Sequence, residues 1–223
     1  MTKHLHFHVD RYGDAKALVE KYHYSHRMSA NIQLIGTYHE QGGLFGDAGS
    51  CVAACVFSIP PTRWNIEVWE LSRLVRTDYM NVQLTGLISK TVSFIKSLHK
   101  INVLVSFADW TQKHHGGIYQ AASWFYGGIR ERRMDGVMIN NIFVPGRTCN
   151  SKYGTQSPRL LQEILPQCTI EPHYDEGKHL YWKPLNKKGL HAAKANGLLC
   201  LPYPKPNKEA SLVGCGAGYE EER

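Results

Sequence analysis

The sequence predicts an α/β (α+β) fold with a mixed, mostly antiparallel central sheet flanked by helices. Three stretches carry that prediction. Residues 33–38 and 51–58 read as strands, joined by a loop holding Gly42, Gly43, Gly46 and Gly49, the pattern of an antiparallel hairpin. Residues 66–75 and 101–108 also read as strands, separated by a polar connection (76–86) and a helix (87–98) with Leu87, Ile88, Thr91, Val92, Ile95 and Leu98 on one face. A crossover helix of that kind sets its two strands side by side and parallel, so a splayed parallel pair is expected within the sheet. The third stretch runs from Val103 to Gly128. An apolar run stops at Asp109, His114, His115, Gly116 and Gly117 follow, and then Ile118, Tyr119, Ala122, Phe125 and Tyr126 recur at helical spacing. Strand, turn and helix form the half-unit of an open sheet, which binds ligands beyond the carboxyl ends of its strands.

The remaining elements follow in order. Asp14 is placed to cap a helix through His23, with Leu18, Val19 and Tyr22 on one face. Pro60 and Pro61 end the second strand of the hairpin, and Gly127 and Gly128 are expected to break the chain after the central helix. Residues 137–144 read as one strand stopped by Pro145, residues 147–158 as a polar loop, Pro158 as the start of a helix through Leu165, and residues 178–183 as a final strand. Beyond Pro184, Lys, Gly, Asn and Pro dominate. The expected organisation is therefore one catalytic domain, 1–184, and a basic, Gly/Pro-containing, loosely ordered extension, 185–223.

Composition bounds the function. The chain has 223 residues, 43% of them hydrophobic, and no run of apolar residues long enough to cross a membrane. The N-terminus lacks the apolar core of a signal peptide, so a cytoplasmic protein without a membrane partner is expected. Six cysteines without a C-x-x-C pair argue against a zinc ribbon or redox motif and for free thiols. A net charge of +7, from 26 Lys and Arg against 19 Asp and Glu, favours a polyanionic partner without specifying nucleic acid.

Two clusters carry candidate chemistry. Tyr22, His23, Tyr24 and His26 crowd a helix end, which reads either as aromatic packing or as the wall of a site. Asp109 stands at a strand end and Tyr119 in the first turn of the next helix, near its positive pole. These read either as site residues or as a solvated carboxylate and a core phenol.

The element order resembles the GNAT acyltransferase fold. In that fold the loop opening the crossover helix binds a coenzyme A pyrophosphate on backbone amides, so the resemblance assigns cofactor binding to Asn81, Gln83, Thr85 and Gly86. Gln83-x-x-Gly86 matches half of the Gln/Arg-x-x-Gly-x-Gly/Ala signature, with Ile88 where a small residue is the pattern. A more specific resemblance spans residues 22–183. Tyr22-His-Tyr24, Glu70-Leu-Ser-Arg73-Leu, Ser106-Phe-Ala-Asp109, His115-Gly-Gly-Ile-Tyr119-Gln-Ala, Tyr126-x-Gly128, Arg147-Thr and Tyr153-Gly-Thr155 look like the Mom family of bacteriophage DNA-modification proteins. That resemblance implies methylcarbamoylation of adenine to N6-carbamoylmethyladenine, which protects DNA from restriction. It implies an iron site on His23, Tyr24, Asp109 and Tyr119, catalytic roles for Arg73, Asp109, Tyr119 and Tyr24, and an acyl-coenzyme A or related donor.

Chemistry narrows what such an enzyme must do. Histidine and carboxylate suit a ferrous ion with open positions, and a phenolate adds a hard oxygen ligand. Without metal, Asp109 orients His23 or accepts a proton and Tyr119 acts as general acid. The product joins nitrogen to a methylene, which acyl transfer does not do. Either a metal activates the donor's methylene or the donor is not acetyl-coenzyme A. An adenine in double-stranded DNA must leave the stack to react. Arg130, Arg132, Arg133, Arg147 and Lys152, with Lys187, Lys188, Lys194, Lys205 and Lys208, are candidates to neutralise phosphates. A homodimer is a further candidate assembly. Two other functions fit: a GNAT-like N-acyltransferase on a small-molecule or protein amine, and a non-catalytic DNA-binding module.

Overall fold

A computed structural model of the chain describes residues 5–41, 49–61, 63–78, 82–112 and 114–204. The chain divides into two compact units, the first built from Met1–Phe107, Gly116–Gly128 and Leu180–Tyr203, the second from Ala108–His115 and Ile129–His179.

The first unit is organised on a seven-stranded sheet in the order β1-β2-β3-β4-β5-β10-β6. Its strands are β1 (Leu5–Val9), β2 (Ile32–Glu40), β3 (Cys51–Ser58), β4 (Val68–Arg76), β5 (Val103–Asp109), β6 (Phe125–Arg130) and β10 (Lys178–Pro184). Pairing is antiparallel from β1 to β4, and β4 and β5 are parallel. The parallel ladder covers only Val68↔Val103, Trp69↔Leu104 and Glu70↔Val105, although both strands continue. This is the expected splayed pair.

Alternation along the strands gives each face of the sheet its own helix. Ile35, Ala54, Val56 and Val75 pack against Ala15, Leu18 and Val19 of α1 (Tyr12–Tyr22). The neighbouring positions Gly36 and Cys55, paired across β2 and β3, meet Thr91 of α2 (Leu84–Ser97). A Cβ on Gly36 would lie 2.1 Å from Thr91 Oγ1, so glycine is what lets α2 settle on β2. Thr91 itself donates to the Leu87 carbonyl at 2.8 Å, which fixes its rotamer. Asp14 lies in the first turn of α1, paired with Arg11 at 3.3 Å, but it is not the cap; Arg11 holds that position.

Further expectations are corrected. The helix after Gly116 and Gly117 is α3 (Gly117–Ala121), five residues long, and Phe125, Tyr126, Gly127 and Gly128 belong to β6. The helix stops because Ser123 turns left-handed (φ 58) and Lys183 Nζ donates to the carbonyls of Ala122 and Ser123 at 2.9 and 3.2 Å. Two elements were not anticipated at all, β1 and β9 (Ile170–Tyr174). Residues 137–144 are a hairpin of β7 (Met134–Ile139) and β8 (Ile142–Pro145), because Asn140 and Asn141 both take positive φ, the geometry of a tight turn. The polar stretch after Pro145 is helical, α4 (Gly146–Tyr153), closed by Gly154 at φ 73.

Another correction concerns residues 185–203, which are ordered. They form α6 (Lys187–Ala195) and a following segment, and Ala193 and Leu198 join Val68, Val103, Val105, Leu180 and Trp182 in one core cluster. Residues 205–223 lie outside the described residues.

The second unit carries a three-stranded antiparallel sheet, β8-β7-β9, covered by α4 and α5 (Pro158–Ile164), with Val137, Cys149 and Leu161 at its core. The five described cysteines are free thiols, as expected.

Gly36→Ala is expected to destabilise the chain by about 1–3 kcal/mol through overpacking, a fall of several degrees in Tm. Thr91→Ala in the same background should recover part of that loss. Additive effects in the double variant, measured by thermal unfolding, would show that the two positions do not compete for the same space.

Candidate active site

The parallel ladder ends at Glu70 and Val105, and the next groups must find other partners. Ser106 supplies one: its hydroxyl donates to the Leu71 carbonyl at 2.8 Å. The phenol of Tyr119 is hydrogen-bonded to the same Ser106 side chain. Tyr119, Ser106 and the Leu71 backbone oxygen are thereby linked side by side.

Tyr119 is held from several sides. Its N–H donates to the Gly116 carbonyl at 2.9 Å, and its ring lies between Tyr181 (5.2 Å) and Trp124 (5.5 Å). Gly116 sits at φ 79, and a Cβ there would strike the Tyr181 ring at 2.1 Å. Gln120 Nε2 donates to Tyr181 O–H at 3.0 Å, tying α3 to β10 again. Burial pushes the Tyr119 phenol up to about 12, Ser106 opposes the rise, and the charges of Tyr24, Glu70 and Tyr181 add to it. The phenol therefore keeps its proton at neutral pH.

Tyr24 is thus within electrostatic reach of Tyr119, and His23 stacks on Tyr24 with ring centroids 4.4 Å apart. Three of the four residues assigned to one site, His23, Tyr24 and Tyr119, lie in the first unit. Arg73 anchors the loop that carries His23 and Tyr24: its Nε donates to the Arg27 carbonyl at 2.8 Å. Ser29, on the same loop, donates to Ser72 at 2.7 Å, and Ser72 donates to Val56 O beside the β3 bulge.

Asp109 belongs to the second unit, where its carboxylate accepts the Thr111 N–H at 3.0 Å and its carbonyl accepts the His114 N–H at 3.1 Å. That is a local cap on the short 3-10 turn Trp110–Gln112. Gln83 is the N-cap of α2, with no side-chain bond closing the first turn, and Thr85 and Gly86 lie in that turn. Ile88 is buried and packs into the core, so its bulk is turned away from the approach to those amides. Asn81 lies outside the described residues. In the second unit Arg130, Arg132, Arg133, Arg147 and Lys152 are exposed; Arg132 Nε donates to the Asp175 carbonyl at 3.0 Å, and Lys152 lies over the Tyr153 ring.

The sequence pattern that defines the Mom protein family matches residues 6–205. This chain belongs to the Mom protein family. Its mixed sheet with a splayed parallel pair is the GNAT-like fold that the sequence resembles. Among solved structures it is similar to an N-acetyltransferase from Staphylococcus aureus Mu50, at 11% identity over 82% of this chain and 98% of the other, with a TM-score of 0.42. It is similar also to a GNAT family acetyltransferase from Elizabethkingia anophelis with acetyl-CoA bound, at 13% identity over 81% and 97%, with a TM-score of 0.38. No curated protein matches the chain.

For this Mom protein the described residues give the iron site that the resemblance implies no support. His23 Nδ1 is occupied by Ser25, whose N–H lies 3.1 Å and whose hydroxyl lies 2.8 Å from it. Among the described residues no group of three or more His, Cys, Asp and Glu is placed to hold a metal ion. The first turn of α2 leaves the amides of Leu84 and Thr85 without a side-chain cap, donors of the kind that accept a pyrophosphate, while the Gly86 N–H is given to the Gln83 carbonyl at 3.1 Å.

Sequence reasoning assigned no role to Ser106 or Tyr181. The signal for Ser106 was present, a lone polar residue inside the apolar run of β5.

The raised phenol gives a stability test. Folded Tyr119 holds its proton to about 12, whereas the unfolded side chain loses it near 10. The folded chain therefore binds more protons in that window, so this contribution is complete below the lower value and is lost as pH rises toward the higher one. Tyr119→Phe should remove that share. Its loss of unfolding free energy in urea between pH 9 and 11 should be about 1 kcal/mol smaller than that of the unsubstituted chain. Equal losses would place the phenol in water.

Proposed function

We propose that this Mom protein is a DNA-modifying transferase that converts adenine in double-stranded DNA to N6-carbamoylmethyladenine. The observation that carries the reading is the buried Tyr119 phenol held beside Ser106 at the point where β4 and β5 part. Family membership supplies the reaction class, and the buried Tyr119 supplies a fixed, protonated donor.

Magnitudes decide the role of Tyr119. A phenol at about 12 gives up its proton poorly to a thiolate leaving group whose conjugate acid lies near ~8.5, uphill by about 5 kcal/mol. Tyr119 therefore acts as a hydrogen-bond donor to developing negative charge rather than as a proton-releasing acid. Ser106 holds the phenol in place, and Arg73 holds the loop bearing His23 and Tyr24. The amides of Leu84 and Thr85 would take the pyrophosphate of a coenzyme A-type donor carrying the carbamoylmethyl group on its sulfur; the CH2–S bond would break as the nitrogen–CH2 bond forms, and the thiolate would leave. The exocyclic amine loses a proton as its nitrogen–carbon bond forms. Glu70, the carboxylate whose charge reaches Tyr119, is the group we assign to receive that proton.

The adenine must be extruded from the duplex to meet these groups. Arg130, Arg132, Arg133, Arg147 and Lys152 are the side chains of the second unit proposed to meet phosphates, and their contribution should weaken with salt.

The test is mass analysis of nucleosides from plasmid DNA in cells expressing the protein. A deoxyadenosine carrying an added carbamoylmethyl group is expected. Tyr119→Phe should lower its yield by about two to three orders of magnitude at unchanged protein level. Asp109→Asn keeps the oxygen that caps the turn, so the fold should hold, and lost modification would assign the carboxylate a chemical role. Unmodified deoxyadenosine beside an acylated small-molecule or protein amine would replace this reading with the N-acyltransferase one.

A further inference from the structure

Helix α6 is fixed to the first unit at every point where a tail would be loose. Leu185 N–H donates to the Asn102 carbonyl at 2.9 Å, and Asn186 Nδ2 to Asn102 Oδ1 at 2.7 Å. Asn186 caps the helix by accepting the Gly189 N–H at 2.8 Å. Gly189 lies so close to β5's approach that an added Cβ would fall 2.1 Å from the Asn102 carbonyl oxygen. At the other end Gly197 turns left-handed (φ 79), Leu198 N–H returns to the Ala193 carbonyl at 3.0 Å, and Leu198 is buried beside Trp182.

The face turned outward is uniformly basic. Lys187, Lys188, His191 and Lys194 are exposed, and no acidic residue lies in the helix. Among the described residues none of these lysines forms an ion pair. Lys187, His191 and Lys194 follow an i, i+4, i+7 stripe, so they span about 10 Å along the axis. Duplex DNA presents about six phosphate charges over that length. The apolar side chains of α6 face the core, leaving none to insert into a lipid surface, which disfavours a membrane.

We propose that the outer face of α6 is a rigid binding surface for the phosphate backbone of double-stranded DNA. The inference rests on the DNA reading above and adds a contact surface on the first unit. Because the lysines project from a docked helix, little ordering of backbone opposes binding.

The experiment uses the full chain and a fluorescent duplex of about 20 base pairs, titrated by anisotropy at several salt concentrations. Lys187→Gln/Lys188→Gln/Lys194→Gln should weaken binding at least tenfold and flatten the log–log salt dependence by about two to three. In the unsubstituted chain, DNA should protect the same three lysines from amine-reactive labelling read by mass spectrometry, a measurement that needs no variant to fold. If the unsubstituted chain binds duplex but the triple variant binds equally with the same slope, or the lysines label equally with and without DNA, the surface assignment falls while the DNA reading stands. If the unsubstituted chain shows no salt-dependent duplex binding, both fall, and binding instead to anionic lipid vesicles would assign α6 to a membrane.

Discussion

The structure turns on a backbone oxygen that its own sheet leaves without a ladder partner. Once β4 and β5 part after Glu70 and Val105, the Leu71 carbonyl faces a space where the next strand should have donated to it. An unmet buried carbonyl costs roughly 1–3 kcal/mol, so the splay persists only if another donor is fixed there. Ser106 is that donor, and the same side chain is hydrogen-bonded to Tyr119. The need that stabilises the opened sheet thus orients the phenol in the candidate site.

Holding Tyr119 in that place recruits much of the surrounding fold. α3 is only five residues long, too short to persist by its own hydrogen bonds. β10 substitutes for length. Tyr181 lies against Gly116 and binds Gln120, while Lys183 closes the helix at Ala122 and Ser123. The segment 185–203 then completes the core behind β10, through Leu198 against Trp182 and Tyr203 donating to the Trp124 carbonyl at 2.8 Å. A stretch that looks dispensable by composition therefore supports the wall behind the candidate site.

Close approach explains three of the glycines and needs no appeal to flexibility. Gly36 admits α2, Gly116 admits Tyr181, and Gly189 admits α6, each at a distance a Cβ would block. Each marks a helix or a ring docked directly on backbone. Such positions tolerate alanine poorly even where their φ angles are ordinary.

The sequence by itself determined the parts that depend on neighbours along the chain. Alternation in β2 and β3, the amphipathic stripe of α2 and the crossover to β5 specified the mixed sheet and its parallel pair, because periodicity records which face is buried. The motif types around Tyr24, Arg73 and Tyr119 likewise pointed to the Mom family. Tertiary structure alone decided the rest. Phe125 and Tyr126 sit at helical spacing, yet they form β6, because Lys183 stops the helix and β10 offers a strand partner. Asn140 and Asn141 split an apolar run into a hairpin, since two consecutive left-handed residues reverse the chain. The Lys-rich sequence after Pro184 carries too few apolar residues to signal a core, and α6 is ordered by a glycine seated on Asn102 and by Leu198. Ser106 was visible as a polar residue in an apolar strand, but its partners, Leu71 and Tyr119, lie on other elements. No local pattern encodes a bond between residues that only folding brings together.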